Sequence, residues 1–199
     1  MTYWDTQANR WGVFSVPDED YDEHTARQAD FIVEQLNVEE GLLLDVGCGI
    51  GRLTKPIAEA LPDTKVWGVD PSPTMIQQAW LHQSWSSDRP EFYHVQPESG
   101  LGGMFDAERI AGAWCVLVFQ HLIEEPIQQI LRDVYAVLQP GGRFVTQWMI
   151  DVDQAAPTES DVLLLLEEEG FQTLHREDDT GVTGLSFGNW LWVTSEKPL

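Results

Sequence analysis

The stretch of the chain with the clearest chemical meaning is residues 42–46, a run of Leu and Val that also contains Asp45 and is followed by Gly47, Gly49 and Gly51. Such a run is typical of a strand buried on both faces of a parallel sheet. Apolar side chains at helical spacing in residues 52–61 predict a helix directly after the glycines. Because glycine has no Cβ, a ligand can contact the bare backbone of the turn, beside the free N–H groups of the new helix.

The residues around the glycines restrict the kind of ligand. Arg52 stands where the dinucleotide fingerprint has its third glycine, which disfavours a nicotinamide-dependent oxidoreductase. The Gly-Lys-Ser/Thr ending of a phosphate-binding loop is also absent from the sequence. Asp45 lies two residues before the first glycine, and a carboxylate there suits a ligand with positive charge better than a pyrophosphate.

The pattern acidic-x-Gly-x-Gly-x-Gly, from Asp45 to Gly51, resembles the first motif of the class I S-adenosylmethionine-dependent methyltransferases. A second match is Leu-x-Pro-Gly-Gly at 138–142, which in that family is a turn before a strand. The resemblance covers roughly residues 40–196. It implies S-adenosylmethionine as the cofactor, and a structural glycine turn in another α/β protein is the alternative.

Apolar strands alternate with amphipathic helices, which predicts a doubly wound α/β fold. The expected sheet has seven strands and is mostly parallel, with helices on both faces and an antiparallel edge hairpin. We expect residues 39–199 to form the S-adenosylmethionine-binding methyltransferase domain, after an N-terminal lid or helical segment at 1–38. Residues 1–23 carry scattered aromatic side chains, and a helical pattern begins at about His24. Two interpretations of this segment are open. It is either a lid over cofactor and substrate or a packing helix with a loose tail.

Candidate cofactor residues follow the later predicted strands. Asp70 ends the second strand at the spacing where an acid accepts hydrogen bonds from ribose hydroxyls, although a helix N-cap is the alternative. In the resembled family an apolar residue at the position of Met75 packs on adenine, whereas methionine at helical spacing is otherwise a core residue. Gln96 and Glu98 are the candidates for the adenine amine. The resemblance implies a cofactor-binding set of Asp45, Gly47, Cys48, Gly49, Gly51, Asp70, Pro71, Met75, Gln96, Glu98, Trp114 and Cys115.

His121, a few residues beyond the predicted fourth strand, is the candidate catalytic residue. Methyl transfer from a sulfonium requires alignment of the two reactants and removal of a proton where the nucleophile carries one. The ordinary pKa of histidine suits a general base. A single histidine more often caps or packs a helix, and we keep that alternative. Gln147 and Trp148, at the end of the fifth strand, are candidates for the acceptor pocket.

The charge of the chain restricts its partners. There are 33 acidic and 11 basic residues, a formal net charge of −22, and no cluster of Lys and Arg that would suit nucleic acid or an anionic membrane. Two cysteines, Cys48 and Cys115, imply neither a disulfide framework nor a metal site. The longest apolar run, 111–119, is too short to span a bilayer, and the N-terminus lacks the pattern of a signal peptide. We therefore expect a cytoplasmic protein.

Together these patterns predict an S-adenosylmethionine-dependent methyltransferase that methylates an oxygen or nitrogen of a small molecule. The motifs that methylate base amines or pyrimidine carbons are absent from the sequence. The altered segment Gln96-Pro97-Glu98 motivates an alternative, a catalytically silent domain of this fold that binds the cofactor or a partner protein. No pattern in the sequence indicates an oligomeric state.

Overall fold

A computed structural model describes residues 18–81, 90–96, 99–152, 156–183 and 189–199. Its helices are α1 (Asp18–Leu36), α2 (Thr54–Ala60), α3 (Pro73–Leu81), α4 (Glu124–Val137), α5 (Glu159–Glu168) and α6 (Asp179–Thr183). Its strands are β1 (Gly41–Val46), β2 (Thr64–Asp70), β3 (Glu91–His94), β4 (Ile110–Cys115), β5 (Leu138–Met149), β6 (Gln172–Asp178) and β7 (Trp190–Glu196). Short 3-10 helices lie at Leu101–Gly103 and Phe119–His121.

The seven strands form one sheet in the order β3-β2-β1-β4-β5-β7-β6. The first five are parallel, and β7 pairs antiparallel with both β5 and β6. This arrangement confirms the predicted mostly parallel sheet with an antiparallel edge hairpin. The strand order reverses between β1 and β4, and the crevice at such a switch point is where open α/β sheets bind ligands.

Helices cover both faces of the sheet, as predicted. Leu43 packs in a core with Ile32 of α1 and Ile57 of α2, whereas the next residue, Leu44, packs in a second core with Leu131 of α4. Successive residues of a strand point to opposite faces, so a strand covered on both sides has apolar side chains on both of them. Full burial of each leucine stabilises the fold by about 1.5–3 kcal/mol, and this double burial explains the apolar run in β1.

Helix α1 begins at Asp18, six residues before the position predicted from apolar spacing. The buried stripe at this end of the helix contains Tyr21, His24 and Gln28, so its members recur at helical spacing but two of them are polar. A search for apolar periodicity therefore places the start too late. Residues 1–17, most of the predicted lid, lie outside the described residues, and the lid stays a prediction.

The Pro-Gly-Gly segment is part of β5, which corrects the predicted turn before the strand. Ile110 of β4 pairs with Leu138 of β5, and Gly112 pairs with Arg143. Two residues of advance along β4 therefore correspond to five along β5. The extra residues form a bulge in which Gly141 has a φ of +78°, and its N–H donates to a carbonyl of the C-terminal segment at 2.7 Å. Glycine adopts this left-handed conformation readily, so the motif ends the helix and enters the strand without a separate turn.

Candidate active site

The glycine loop after β1 is held against the end of β2. The backbone N–H groups of Gly47 and Cys48 both donate to the carbonyl of Val69, at 2.8 and 3.0 Å. Gly47 has a φ of +75°, and a Cβ placed on it would lie 2.4 Å from Cγ2 of Val118. Only glycine satisfies both conditions, so the loop backbone lies bare beside the connection that follows β4.

Asp70, the last residue of β2, connects this loop to the next helix. Its Oδ2 accepts a hydrogen bond from the N–H of Gly49 at 3.0 Å, and its Oδ1 accepts one from the N–H of Ser72 at 2.8 Å. The side chain is buried at the wall of the cavity described below. Two backbone bonds on a buried carboxylate fix its orientation, as a ligand-binding acid requires.

Asp45 lies at the same end of β1, buried on the other side of the loop. Burial raises the pKa of its carboxyl to about 7, against the opposing effect of Thr54, whose hydroxyl donates to Oδ2 at 2.6 Å. The indole of Trp114 and the charge of Arg52 also lower this pKa. Because desolvation disfavours the charged form, Asp45 titrates near neutral pH and its charge responds to what binds beside it.

Arg52 contributes to the same wall, and the sequence analysis used it only to argue against a dinucleotide. Its Nη1 donates to Gln28 Oε1 at 2.8 Å and to Thr25 Oγ1 at 3.2 Å, both on α1. Burial lowers the pKa of the guanidinium to about 10, so it stays charged at neutral pH. Its position directly after the third glycine was the signal in the sequence that Arg52 belongs to the site. Its hydrogen-bond partners could not be predicted, because they depend on how α1 packs against the loop.

A cavity of about 560 Å³ opens at the carboxyl ends of β1, β2 and β4. Nine of the predicted site residues line it: Asp45, Gly47, Cys48, Gly49, Asp70, Pro71, Met75, Gln96 and His121. Burial raises the pKa of the Cys48 thiol well above its usual range, so this residue offers the cavity a protonated side chain and its backbone. Glu98 lies outside the described residues.

Three predicted cofactor residues are not among those that line the cavity, and their contact with the cofactor stays a prediction. Trp114 and Cys115 are fully buried in β4, and successive strand residues place them in the two separate cores on opposite faces of the sheet. Gly51 is buried at the end of the loop, where its N–H donates to the carbonyl of Cys48 at 2.9 Å. This hydrogen bond closes the turn of the loop.

The second wall of the cavity comes from the connection between β4 and α4. Val116, Leu117 and Val118 enter it, and Leu117 has a φ of +59°. His121 follows, and partial burial lowers the pKa of its imidazole below the usual 6.5. The Nε2 of Gln120 lies 3.0 Å from the Nε2 of His121. Sequence reasoning found the histidine but not this wall, because its apolar residues look like an ordinary core strand.

The candidates for the acceptor pocket on β5 lie elsewhere. Gln147 donates to Asp179 Oδ1 at 3.4 Å on the face covered by α1, and Trp148 donates to Thr146 Oγ1 at 2.8 Å. Trp148 also stacks on Phe119, with ring centroids 4.2 Å apart. Both side chains are buried under helices, since β5 is a covered inner strand of the sheet, and neither lines the cavity.

No group of three or more His, Cys, Asp or Glu side chains in the described part of the chain is placed to hold a metal ion. None of the helices that the structure describes is long and apolar enough to cross a membrane. The cytoplasmic location stays a prediction.

Comparison with known proteins agrees with this geometry. Residues 44–144 match the family described as "Methyltransferase domain". A tRNA N(3)-methylcytidine methyltransferase of Schizosaccharomyces pombe is 28% identical over 142 residues, which are 69% of this chain and 56% of that protein. A ubiquinone biosynthesis O-methyltransferase of Xanthomonas campestris is 29% identical over 139 residues, 68% of this chain and 54% of that protein. The chain thus spans about half the length of these curated relatives.

Solved structures share the fold across nearly the whole chain. The magnesium protoporphyrin IX methyltransferase of Synechocystis PCC 6803, solved with bound S-adenosylmethionine, superposes with a TM-score of 0.71 at 20% identity, covering 98% of this chain and 91% of that one. A methyltransferase in complex with the Trm112 activator of Haloferax volcanii gives 0.74 at 17% identity, covering 100% and 99%.

The chain therefore belongs to the methyltransferase domain family. The predicted resemblance to methyltransferases is confirmed for the family and for the fold.

Proposed function

We propose that this protein transfers the methyl group of S-adenosylmethionine to a small-molecule acceptor held in the cavity at the switch point of the sheet. The observation that carries the proposal is the continuity of this cavity, which joins the glycine loop to the wall after β4. Its volume of about 560 Å³ is of the size that binds small molecules. One continuous cavity thus holds both the residues suited to the cofactor and the residues suited to an acceptor.

The residues of the first wall fit the cofactor. Gly47 presents bare backbone at a place that a Cβ would fill, and Asp70 offers a fixed carboxylate for the hydroxyls of a ribose. Asp45 and Asp70 bring negative charge to a ligand that carries a sulfonium and an ammonium group. Met75 supplies an apolar surface for the adenine ring. When bound, the cofactor supplies a methyl group that the positive sulfur has already activated.

The residues of the second wall fit the acceptor. His121 lines the cavity, and the lowered pKa keeps its imidazole neutral at pH 7, in the form that accepts a proton. Val116, Leu117 and Val118 supply apolar surface to the same cavity. The protein thus offers an apolar surface for alignment and a candidate base, which suit a displacement on an activated methyl group.

The charge of the protein favours a small molecule over a nucleic acid. Binding to nucleic acid depends on Lys and Arg that neutralise phosphates, whereas this chain has a net charge of −22. The charged side chains at the cavity are Asp45, Asp70, Glu125 and Asp133 against the single cation Arg52, counting only described residues and leaving His121 neutral. A polyanion would be repelled by this surface. On this proposal, the acceptor of this protein is not a polyanion, unlike the tRNA named for the Schizosaccharomyces pombe relative.

The direct test is a transfer assay with S-adenosylmethionine that carries a labelled methyl group. Phenols, amines, thiols and carboxylic acids are offered separately, together with bulk tRNA as the nucleic acid arm. We expect transfer to at least one small-molecule class and none to tRNA, with Asp70→Ala as the variant that lacks activity. Transfer to tRNA alone would contradict the proposed acceptor. Cofactor binding without transfer to any acceptor would instead identify the catalytically silent domain.

A further inference from the structure

The mouth of the cavity is apolar where the acceptor would enter. Leu122, Ile123, Pro126 and Ile130 line it there, on the first turns of α4 and the residues before them. Ile123 is 75% exposed, although it is a large apolar residue. Pro126 is also exposed, whereas Leu122 and Ile130 are half-buried, so the four residues together offer an apolar surface to a molecule that enters the cavity.

Three of the four carboxylates at the cavity already have partners. Asp45 accepts from a threonine hydroxyl, and Asp70 accepts from two backbone N–H groups. Asp133 accepts from the N–H of Leu101 at 3.0 Å and from the side chain of Gln129 at 2.8 Å. Because these three carboxylates accept hydrogen bonds from the protein itself, their charges are already partly satisfied.

Glu125 differs from the other three. It lies on the first turn of α4, at the cavity wall beside the apolar mouth. Among the residues that the structure describes, none donates a hydrogen bond to its carboxylate or pairs with it. Its neighbour Glu124 lies on the same turn but away from the cavity, and it accepts a hydrogen bond from Gln128 at 3.0 Å. Glu125 is thus the acid that is available to a ligand.

Arg52, the cation at the described part of the cavity wall, does not offset this charge. It donates to Gln28 and Thr25, and its charge lowers the pKa of Asp45. It therefore lies with the glycine loop, at the cofactor's end. The second wall contributes a neutral His121 and the free carboxylate of Glu125, so an anionic group there would meet repulsion without compensation.

Resting on the proposed function, we infer that the acceptor is an apolar molecule that carries an amine or another cationic nitrogen, and that Glu125 receives this group. The apolar mouth contacts the body of the molecule, and the carboxylate selects the charge at its end. A carboxylate or phosphate of the same size is disfavoured, because the exposed carboxylate of Glu125 would repel its charge. Glu125 is a specificity-determining residue on this view.

The test uses three probes with one apolar body and different charges: phenethylamine, phenethyl alcohol and phenylpropionate. Each is titrated by calorimetry at pH 7 into protein saturated with S-adenosylhomocysteine. We expect the amine to bind at least about tenfold more tightly than the carboxylate, since a charge-assisted hydrogen bond contributes this much. Glu125→Gln should weaken amine binding roughly three- to tenfold and leave alcohol binding within about twofold.

Glu124→Gln is the matched control, because it removes the same charge from the same helical turn without touching the cavity. Equal binding of amine and carboxylate, absence of amine binding, or equal effects of the two variants would each overturn the inference. A separate titration of S-adenosylhomocysteine into the free protein reports on the proposed function. If that titration shows binding and the probes show no preference for the amine, the methyltransferase proposal stands and only the acceptor class is wrong.

Discussion

The backbone N–H of Gly49 donates a 3.0 Å hydrogen bond to Oδ2 of Asp70, which joins the glycine loop after β1 to the end of β2. The same carboxylate accepts from Ser72 through its other oxygen, so one buried acid orders the loops that follow two neighbouring strands. Because Asp70 also faces the cavity, its side chain can shape the loop and bind the ligand. Mutations at this position should therefore affect binding more strongly than a single ligand contact would.

We expect Asp70→Ala to weaken S-adenosylmethionine binding by at least about tenfold, because a hydrogen bond to a charged group is worth ~1.5–3 kcal/mol. Calorimetric titration of the cofactor measures the loss. Asp63→Ala removes an acidic side chain from an exposed position just before β2 and serves as the control. Equal affinities of the Asp70 variant and the wild type would remove this residue from the cofactor site.

Gly47→Ala should both destabilise the fold and abolish cofactor binding. The added methyl group would lie 2.4 Å from Val118, and the φ of +75° strains any side chain by about 1–2 kcal/mol. Gly102→Ala is the matched control, since no atom lies within 4 Å of its Cβ position. Thermal unfolding and cofactor titration of both variants make the comparison. A Gly47 variant as stable as the Gly102 variant would show that Val118 moves aside at no cost.

The stability of the protein should depend on pH through Asp45. Its pKa in the folded protein, about 7, lies above the usual 3.8, so the neutral acid is the form that folding favours. The stabilisation from this group is complete below the unfolded pKa and is lost as the pH rises through about 7. The free energy of unfolding of the wild type, relative to Asp45→Asn, should therefore fall between about pH 4 and pH 8.

The same titration predicts tighter cofactor binding above neutral pH, because the ionised Asp45 attracts a positively charged ligand. Thr54→Val tests the assignment: it removes the hydrogen bond that lowers the pKa of Asp45, so both transitions should move to higher pH. Transitions that keep their midpoint in this variant would mean that another group titrates.

His121→Gln should lower kcat/KM roughly 10²–10⁴-fold if the imidazole is a general base. Since burial lowers its pKa, activity of the wild type should rise with pH through a value below 6.5. That acidic limb should be absent from the pH profile of the variant. His175→Gln, on the edge strand β6, is the control. A modest loss with an unchanged profile would favour the alternative in which His121 only packs the following helix.

Several features of the site follow from local patterns, and the sequence predicted them. The apolar run of β1, the left-handed glycines after it and the acid at the end of β2 are each set by backbone preferences and strand spacing over a few residues. The alternation of strands and helices also predicted the topology of the sheet, because short connections between parallel strands leave few possible arrangements. The position of Asp70 beside the glycine loop is thus a consequence of adjacent parallel strands.

Other features required the packing of distant segments. The contact of Arg52 with Gln28 joins the loop to α1, and the polar residues in the buried stripe of that helix hid its true start. Trp114 was predicted from the family resemblance, but its side chain is buried in the core under α1 and α2, although it lies near the carboxyl end of β4. The pKa of Asp45 and the availability of Glu125 depend on which groups surround a carboxylate in three dimensions. Desolvation and pairing are sums over neighbours far apart in the chain, so only the tertiary structure determines them.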